Sequence, residues 1–393
     1  MKKYNKYIGL LLLSLGFFSC DDNEVYPEIA GEDVAVVGLN AEGLDFSKYV
    51  SVGASFTAGF TDNALFKAAQ ENSFPNILAS KFAMANGGTF NQPLMNDNIG
   101  GLLFAGNVIQ GPRLYFNGAG PVPLAATPTT EVTSPVTGSL NNFGIPGAKS
   151  FHFVAPGYGN VQGVPVGLAN PYFARFASSP STTALADVAA AAPTFFTLSE
   201  IGGNDVLGYA LSGGSGVNQA GNLNPATYGG SDITDPNVFG QVFNTMVTTL
   251  TANGAKGVVA NIPYITSLAH FTTVPHNPVP LDAATASQLN SGFAAYNQGL
   301  QGLLNAFNAN LLPANLMGYL TQVGFSQEEV DKRQVSYVEG QNAVLILDES
   351  LIDLTLVNPA LTNMRQATAE DLLVLTSSSF IGTTVGGNPQ LIN

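Results

Sequence analysis

Lys48-Tyr49-Val50-Ser51-Val52-Gly53-Ala54-Ser55-Phe56-Thr57-Ala58-Gly59 is the stretch on which the fold turns. Its first five residues are mostly β-branched or aromatic, which predicts a buried strand ending at Gly53. A serine follows almost at once, between glycines that permit a tight turn. So placed, it can present both its hydroxyl and its own N–H to a substrate. Taken alone, a strand-Gly-x-Ser turn is common and defines no chemistry.

Working outward, Ser73 before Pro75 is a helix-start signal. Thr194-Phe195-Phe196-Thr197-Leu198 predicts a second core strand, running into Gly202-Gly203-Asn204-Asp205. A helix is expected over Asp235 to Asn253, capped by Asp235, with Pro236 in its first turn and Gly254 ending it. Gly257 to Ile262 then reads as another apolar strand, giving a strand-helix-strand unit of the parallel kind. A second long helix is expected from about Asp282 to Leu311, and one more strand at Ala343 to Leu347. Residues 85–140 are rich in Gly, Pro, Asn and Thr without either period and read as a long insertion of loops and short strands, a common place for binding. The fold class expected is α/β, a three-layer α/β/α sandwich with a mainly parallel sheet and long loop insertions.

Three short segments fall at the ends of these strands, where α/β sheets place their sites. The first carries Ser55. The second is Asn142-Phe143-Gly144-Ile145-Pro146-Gly147-Ala148, in which Gly147 can expose a backbone N–H suited to an oxyanion. Lys149-Ser150 beside it lacks the GxxxxGK spacing of a phosphate-binding loop. The third is Ser199-Glu200-Ile201-Gly202-Gly203-Asn204-Asp205, in which Asn204 offers a neutral N–H donor on a two-glycine turn.

Together and in this order, the three resemble the SGNH/GDSL hydrolase family, with its GDSxxxG block, its isolated glycine and its GxND block. The resemblance covers about residues 48–265. It implies Ser55 as nucleophile, with the Ser55 N–H, the Gly147 N–H and the Asn204 side chain as oxyanion donors; Gly144 is the weaker choice for the second block. The implied activity is hydrolysis of carboxylic esters of lipids or acylated glycans through an acyl-enzyme, with no metal or organic cofactor. Thr57 stands where an α/β-hydrolase elbow would have glycine. Ala54 replaces the family's usual aspartate before the serine, so altered local bonding is expected there. The family's D-x-x-H block is absent: none of His152, His270 and His276 has an acid three residues before it. His276 lies among prolines and His270 in apolar surroundings, so both are expected to be structural or solvated. Gly386 to Asn393 show no closing helix pattern, and the expectation is a piece of a longer gene whose missing part holds the Asp and His.

The N-terminus predicts export. Lys2, Lys3 and Lys6 precede the apolar run Ile8 to Phe18, too short for a membrane span of about 20 residues. Leu15-Gly16-Phe17-Phe18-Ser19-Cys20 resembles a lipobox, which implies acylation of Cys20, the only cysteine of the chain. The domains expected are a signal peptide over 1–19, an acidic tether over 20–45 and a hydrolase domain over 46–393. The expected location is the cell envelope, lipid-anchored, at the outer membrane. Cleavage leaves 10 basic against 27 acidic residues, about −17, which disfavours nucleic acid as a partner. A competing expectation is a non-catalytic surface lipoprotein that binds glycan or protein on the same scaffold. A purely structural envelope protein would leave the Gly202 to Asp205 turn unexplained.

Overall fold

A computed structural model describes residues 40–381, 384–385 and 388–389. Its centre is a four-stranded, wholly parallel sheet formed by β1 (Tyr49–Gly53), β2 (Asn142–Gly144), β3 (Phe195–Leu198) and β4 (Lys256–Val259), in the order β2-β1-β3-β4. Val52 pairs with Phe143 on one side and Leu198 on the other, and Leu198 pairs with Val259. The chain passes from β1 out to β2 and then back across β1 to β3. Loops after β1 and β3 therefore leave the sheet in a shared crevice at their carboxyl ends.

Helix α1 (Ser55–Ala58) follows β1 directly, and α2 (Phe74–Ala83), α3 (Ala184–Ala190), α4 (Gly203–Leu211) and α5 (Pro236–Thr251) are among the other helices around the sheet. Strand alternation sends Val50 and Val52 to one face. There they join Phe196 and Leu198 in a core with Leu185 and Val188 of α3 and Val242, Met246 and Leu250 of α5. Helix α5 forms where expected: the Asp235 carboxylate accepts the N–H groups of Asn237 (2.8 Å) and Val238 (3.0 Å), and Pro236 occupies the first turn. Its buried residues Val238, Val242, Met246 and Leu250 recur every four positions, one stripe facing the sheet. Fully burying a side chain such as Met246 contributes about 1.5–3 kcal/mol. On the opposite face, Tyr49 shares a hydrogen bond with Thr197 (2.9 Å), and the Phe82 ring of α2 meets Tyr49 edge-on at 5.0 Å.

Three segments take a definite form. The apolar run expected as a strand over Gly257 to Ile262 forms β4 at Lys256–Val259, and every residue of it is exposed, Val258 by 56% and Val259 by 45%. It is the edge strand, and no described strand pairs with its outer side. The strand expected at Ala343 to Leu347 exists as Leu345–Leu347 but pairs antiparallel with Met364–Gln366, outside the main sheet. The 85–140 insertion holds two small hairpins, Leu102–Phe104 with Asn107–Gln110 and Leu114–Phe116 with Pro121–Pro123.

Residues beyond β4 build a separate hydrophobic core on the long helix α6 (Ala283–Asn308), whose Tyr296, Leu300, Leu303 and Leu304 are buried. Arg333 is wholly buried beside it and donates to Glu329 at 2.8 Å. Among the described residues, no helix is long and apolar enough to cross a membrane.

Candidate active site

Ser55 opens α1 immediately beyond β1. The turn needs Gly53, because a Cβ there would lie 2.6 Å from the Ser199 carbonyl oxygen. Ala54 sits at the cap position but has no side-chain acceptor to offer the first helical N–H groups. Glu200, from the loop after β3, supplies one instead. Its Oε2 accepts the N–H groups of Ala54 (3.2 Å) and Phe56 (2.9 Å), and its Oε1 accepts the N–H (2.7 Å) and hydroxyl (2.9 Å) of Thr57. The Ser55 N–H is the one amide of residues 54–57 that has no acceptor among the described residues. Burial pushes the Glu200 carboxyl up from its ordinary value, while the hydrogen bonds from Thr57, Phe56 and Ala54 pull it down. The Glu200 backbone is left-handed, with φ +61°, a conformation costing a side-chain-bearing residue about 1–2 kcal/mol.

The second segment joins the turn through β2: the Ile145 N–H donates to the Gly53 carbonyl at 2.9 Å. Gly144 packs so closely on α1 that a Cβ would lie 2.2 Å from the Ala58 nitrogen, so it is a packing glycine. Gly147 is exposed, at φ +79°, with open space where a Cβ would be and no acceptor for its N–H among the described residues.

The third segment turns at Gly202, φ +102°, and enters α4. Asn204 uses one hydrogen of its amide to reach the carbonyl of Ala148, the residue after Gly147, at 2.9 Å. Its second hydrogen has no partner among the described residues. Buried Asp205 accepts the Ser150 N–H and hydroxyl. Lys149 is buried too, and its ammonium donates to the carbonyls of Asp232 (2.7 Å) and Gly229 (3.2 Å). Burial lowers the Lys149 pKa, opposed by the charges of Asp205 and Asp232. Lys149 is thus occupied in holding a loop.

These bonds tie all three segments together at the carboxyl ends of adjacent strands. The Ser55 N–H, the Gly147 N–H and one hydrogen of the Asn204 amide each lack an acceptor among the described residues. Preorganised neutral donors of this kind stabilise an oxyanion. None of the three histidines hydrogen-bonds to Ser55 among the described residues. His152 accepts the Lys149 N–H on Nδ1 (3.0 Å) and stacks on Tyr158 at 4.1 Å. Burial, and then the charge of Lys149, lower its pKa to about 4. His270 lies edge-on to Phe271 and its Nε2 is buried without a partner, while the His276 carbonyl accepts from the Val344 N–H. No histidine bonds a carboxylate among the described residues.

Glu200 is the residue the sequence reading missed: attention fell on Ala54, whereas the carboxylate comes from 146 residues away. Its signal was an acid inside a strand-end turn of a chain with only 10% charged residues. Phe56, next to Ser55 in the chain, is 68% exposed. No group of three or more His, Cys, Asp or Glu side chains that could hold a metal occurs among the described residues. Cys20 and the signal segment lie outside the described residues. Compared with known protein families, with characterised proteins and with solved structures, the chain matches none of them.

Proposed function

We propose that this chain carries the site of a serine hydrolase of the SGNH/GDSL type acting on carboxylic esters of lipids or acylated glycans. The observation that supports the reading is that hydrogen bonds link the segments of Ser55, Gly147 and Asn204 at the ends of adjacent strands, while the Ser55 N–H, the Gly147 N–H and one Asn204 amide hydrogen lack acceptors among the described residues. Ser55 attacks the ester carbonyl, the three donors hold the oxyanion as the alcohol leaves, and water then releases the acyl group from Ser55. The wider architecture proposed is a three-layer α/β/α sandwich, supported by the order β2-β1-β3-β4 and by helices α2 and α5 meeting opposite sheet faces. We also propose export and lipid anchoring at Cys20, supported by the lipobox-like segment.

Without a carboxylate-bound histidine, the Ser55 proton has no strong acceptor. Hydrolysis by the full chain should then be weak, of the order of the 10³- to 10⁴-fold over water that triad-depleted sites retain. The test is p-nitrophenyl butyrate hydrolysis with and without added imidazole, which can act as the base. Imidazole should accelerate the wild-type chain well beyond Ser55→Ala. Equal rates for the two proteins would sink the enzyme reading and favour the second one, a non-catalytic envelope protein that binds glycan or protein. That second reading rests on the same three histidines.

A further inference from the structure

We infer that Glu200 is the positioning residue of this site, holding the α1 turn so that the Ser55 N–H alone stays open as an oxyanion donor. The inference rests on the reading of Ser55 as nucleophile and adds a residue to it. Helix caps ordinarily come from the cap residue itself and satisfy the second and third helical N–H groups. Here the cap residue is Ala54, and a carboxylate from a different strand does the work. It satisfies Phe56 and Thr57, adds the Thr57 hydroxyl, and also takes the N–H of Ala54. The residues on both sides of Ser55 are thereby fixed to one half-buried carboxylate while the serine amide is left out.

Two further features fit this role. Glu200 keeps a left-handed backbone, φ +61°, although a glycine would adopt it without strain; the side chain is what the position retains. Glu200 and Asn204 also leave the same strand end, so one loop places a donor of the oxyanion hole and fixes the turn that carries another. Glu200 needs no contact with substrate to do this.

The experiment measures imidazole-assisted p-nitrophenyl butyrate hydrolysis by the full chain carrying Glu200→Gln, Glu200→Ala or Thr57→Val, beside wild type and Ser55→Ala. Fluorophosphonate labelling of Ser55, in which the serine oxygen displaces fluoride from phosphorus, is followed in parallel by mass spectrometry. Glu200→Ala should lower kcat by roughly 10- to 100-fold with KM within about twofold, the loss of a misplaced oxyanion donor. Glu200→Gln, which keeps one acceptor oxygen, should recover part of that loss. Thr57→Val removes only the hydroxyl bond, leaves the three backbone bonds to Glu200 in place, and should lose about threefold. A purely structural cap would lower the melting temperature of all three variants and leave kcat per folded molecule unchanged; that result overturns the inference. So does wild-type kcat in Glu200→Ala when Ser55 still labels. If wild type and Ser55→Ala hydrolyse and label alike, the nucleophile reading itself fails and takes this inference with it.

Discussion

Asp205 accepts both the N–H and the hydroxyl of Ser150, at 2.8 and 2.6 Å, and so fastens the first turn of α4 to the segment after β2. Both residues are buried, and the charged acceptor strengthens each bond. Hydrogen bonds to charged groups contribute about 1.5–3 kcal/mol. A double-mutant cycle of Asp205→Asn and Ser150→Ala in urea unfolding should return a coupling in that range. A coupling near zero would show that the two segments are held together by other contacts.

The glycines of the second segment separate packing from function. Gly144→Ala drives a methyl group to 2.2 Å from the Ala58 nitrogen, where only backbone movement can make room. It should destabilise by about 3 kcal/mol or more, or prevent folding, as severe overpacking does. Gly147→Ala meets no atom, so its penalty is the left-handed backbone alone, about 1–2 kcal/mol. Thermal melting of the two variants should differ accordingly, with ester hydrolysis falling in the folded Gly147→Ala protein.

Asn204→Ala removes the proposed oxyanion donor while losing one neutral bond to Ala148. Stability should fall by about 1 kcal/mol, and imidazole-assisted kcat by roughly 10²- to 10³-fold. Unchanged kcat would remove Asn204 from the oxyanion hole.

His152 supplies a pH dependence whose sign is fixed by its environment. Its pKa is lowered to about 4 in the folded chain, against about 6.5 in an unfolded one. The unfolded chain therefore binds the extra proton first. Stability from this group is fully present above pH 6.5 and is lost as pH falls toward 4, by on the order of 3 kcal/mol. His152→Phe keeps a ring against Tyr158 and should flatten the urea midpoint between pH 4 and 6.5. Hydrolysis should change less than threefold in that variant; a 100-fold loss would make His152 the base.

Much of the sheet was legible because β-branched and aromatic runs ending in glycine mark strands, and Asp235-Pro236 marks a helix start. The exposure of β4 was not, since Val258 and Val259 look like core by composition, and only the strand order reveals an edge. Leu345–Leu347 was legible as a strand, but its partner Met364–Gln366 could not be read from either segment. For the site, Ser55, Gly147 and Asn204 stood out because each sits in a glycine-rich turn. Glu200 did not, because its role exists only once two strands distant in sequence are paired.

That pairing also sets a clock on the site. Glu200 lies 146 residues after Ala54, so at about 5–20 residues per second it is synthesised roughly 7 to 30 s later. Until then the serine turn has no cap, and the parallel pairing of Tyr49 with Phe195 cannot form. Contacts between such distant segments close slowly. A nascent chain ending before residue 200 would thus carry its serine without an organised site, and the nucleophile would mature only with the late steps of folding.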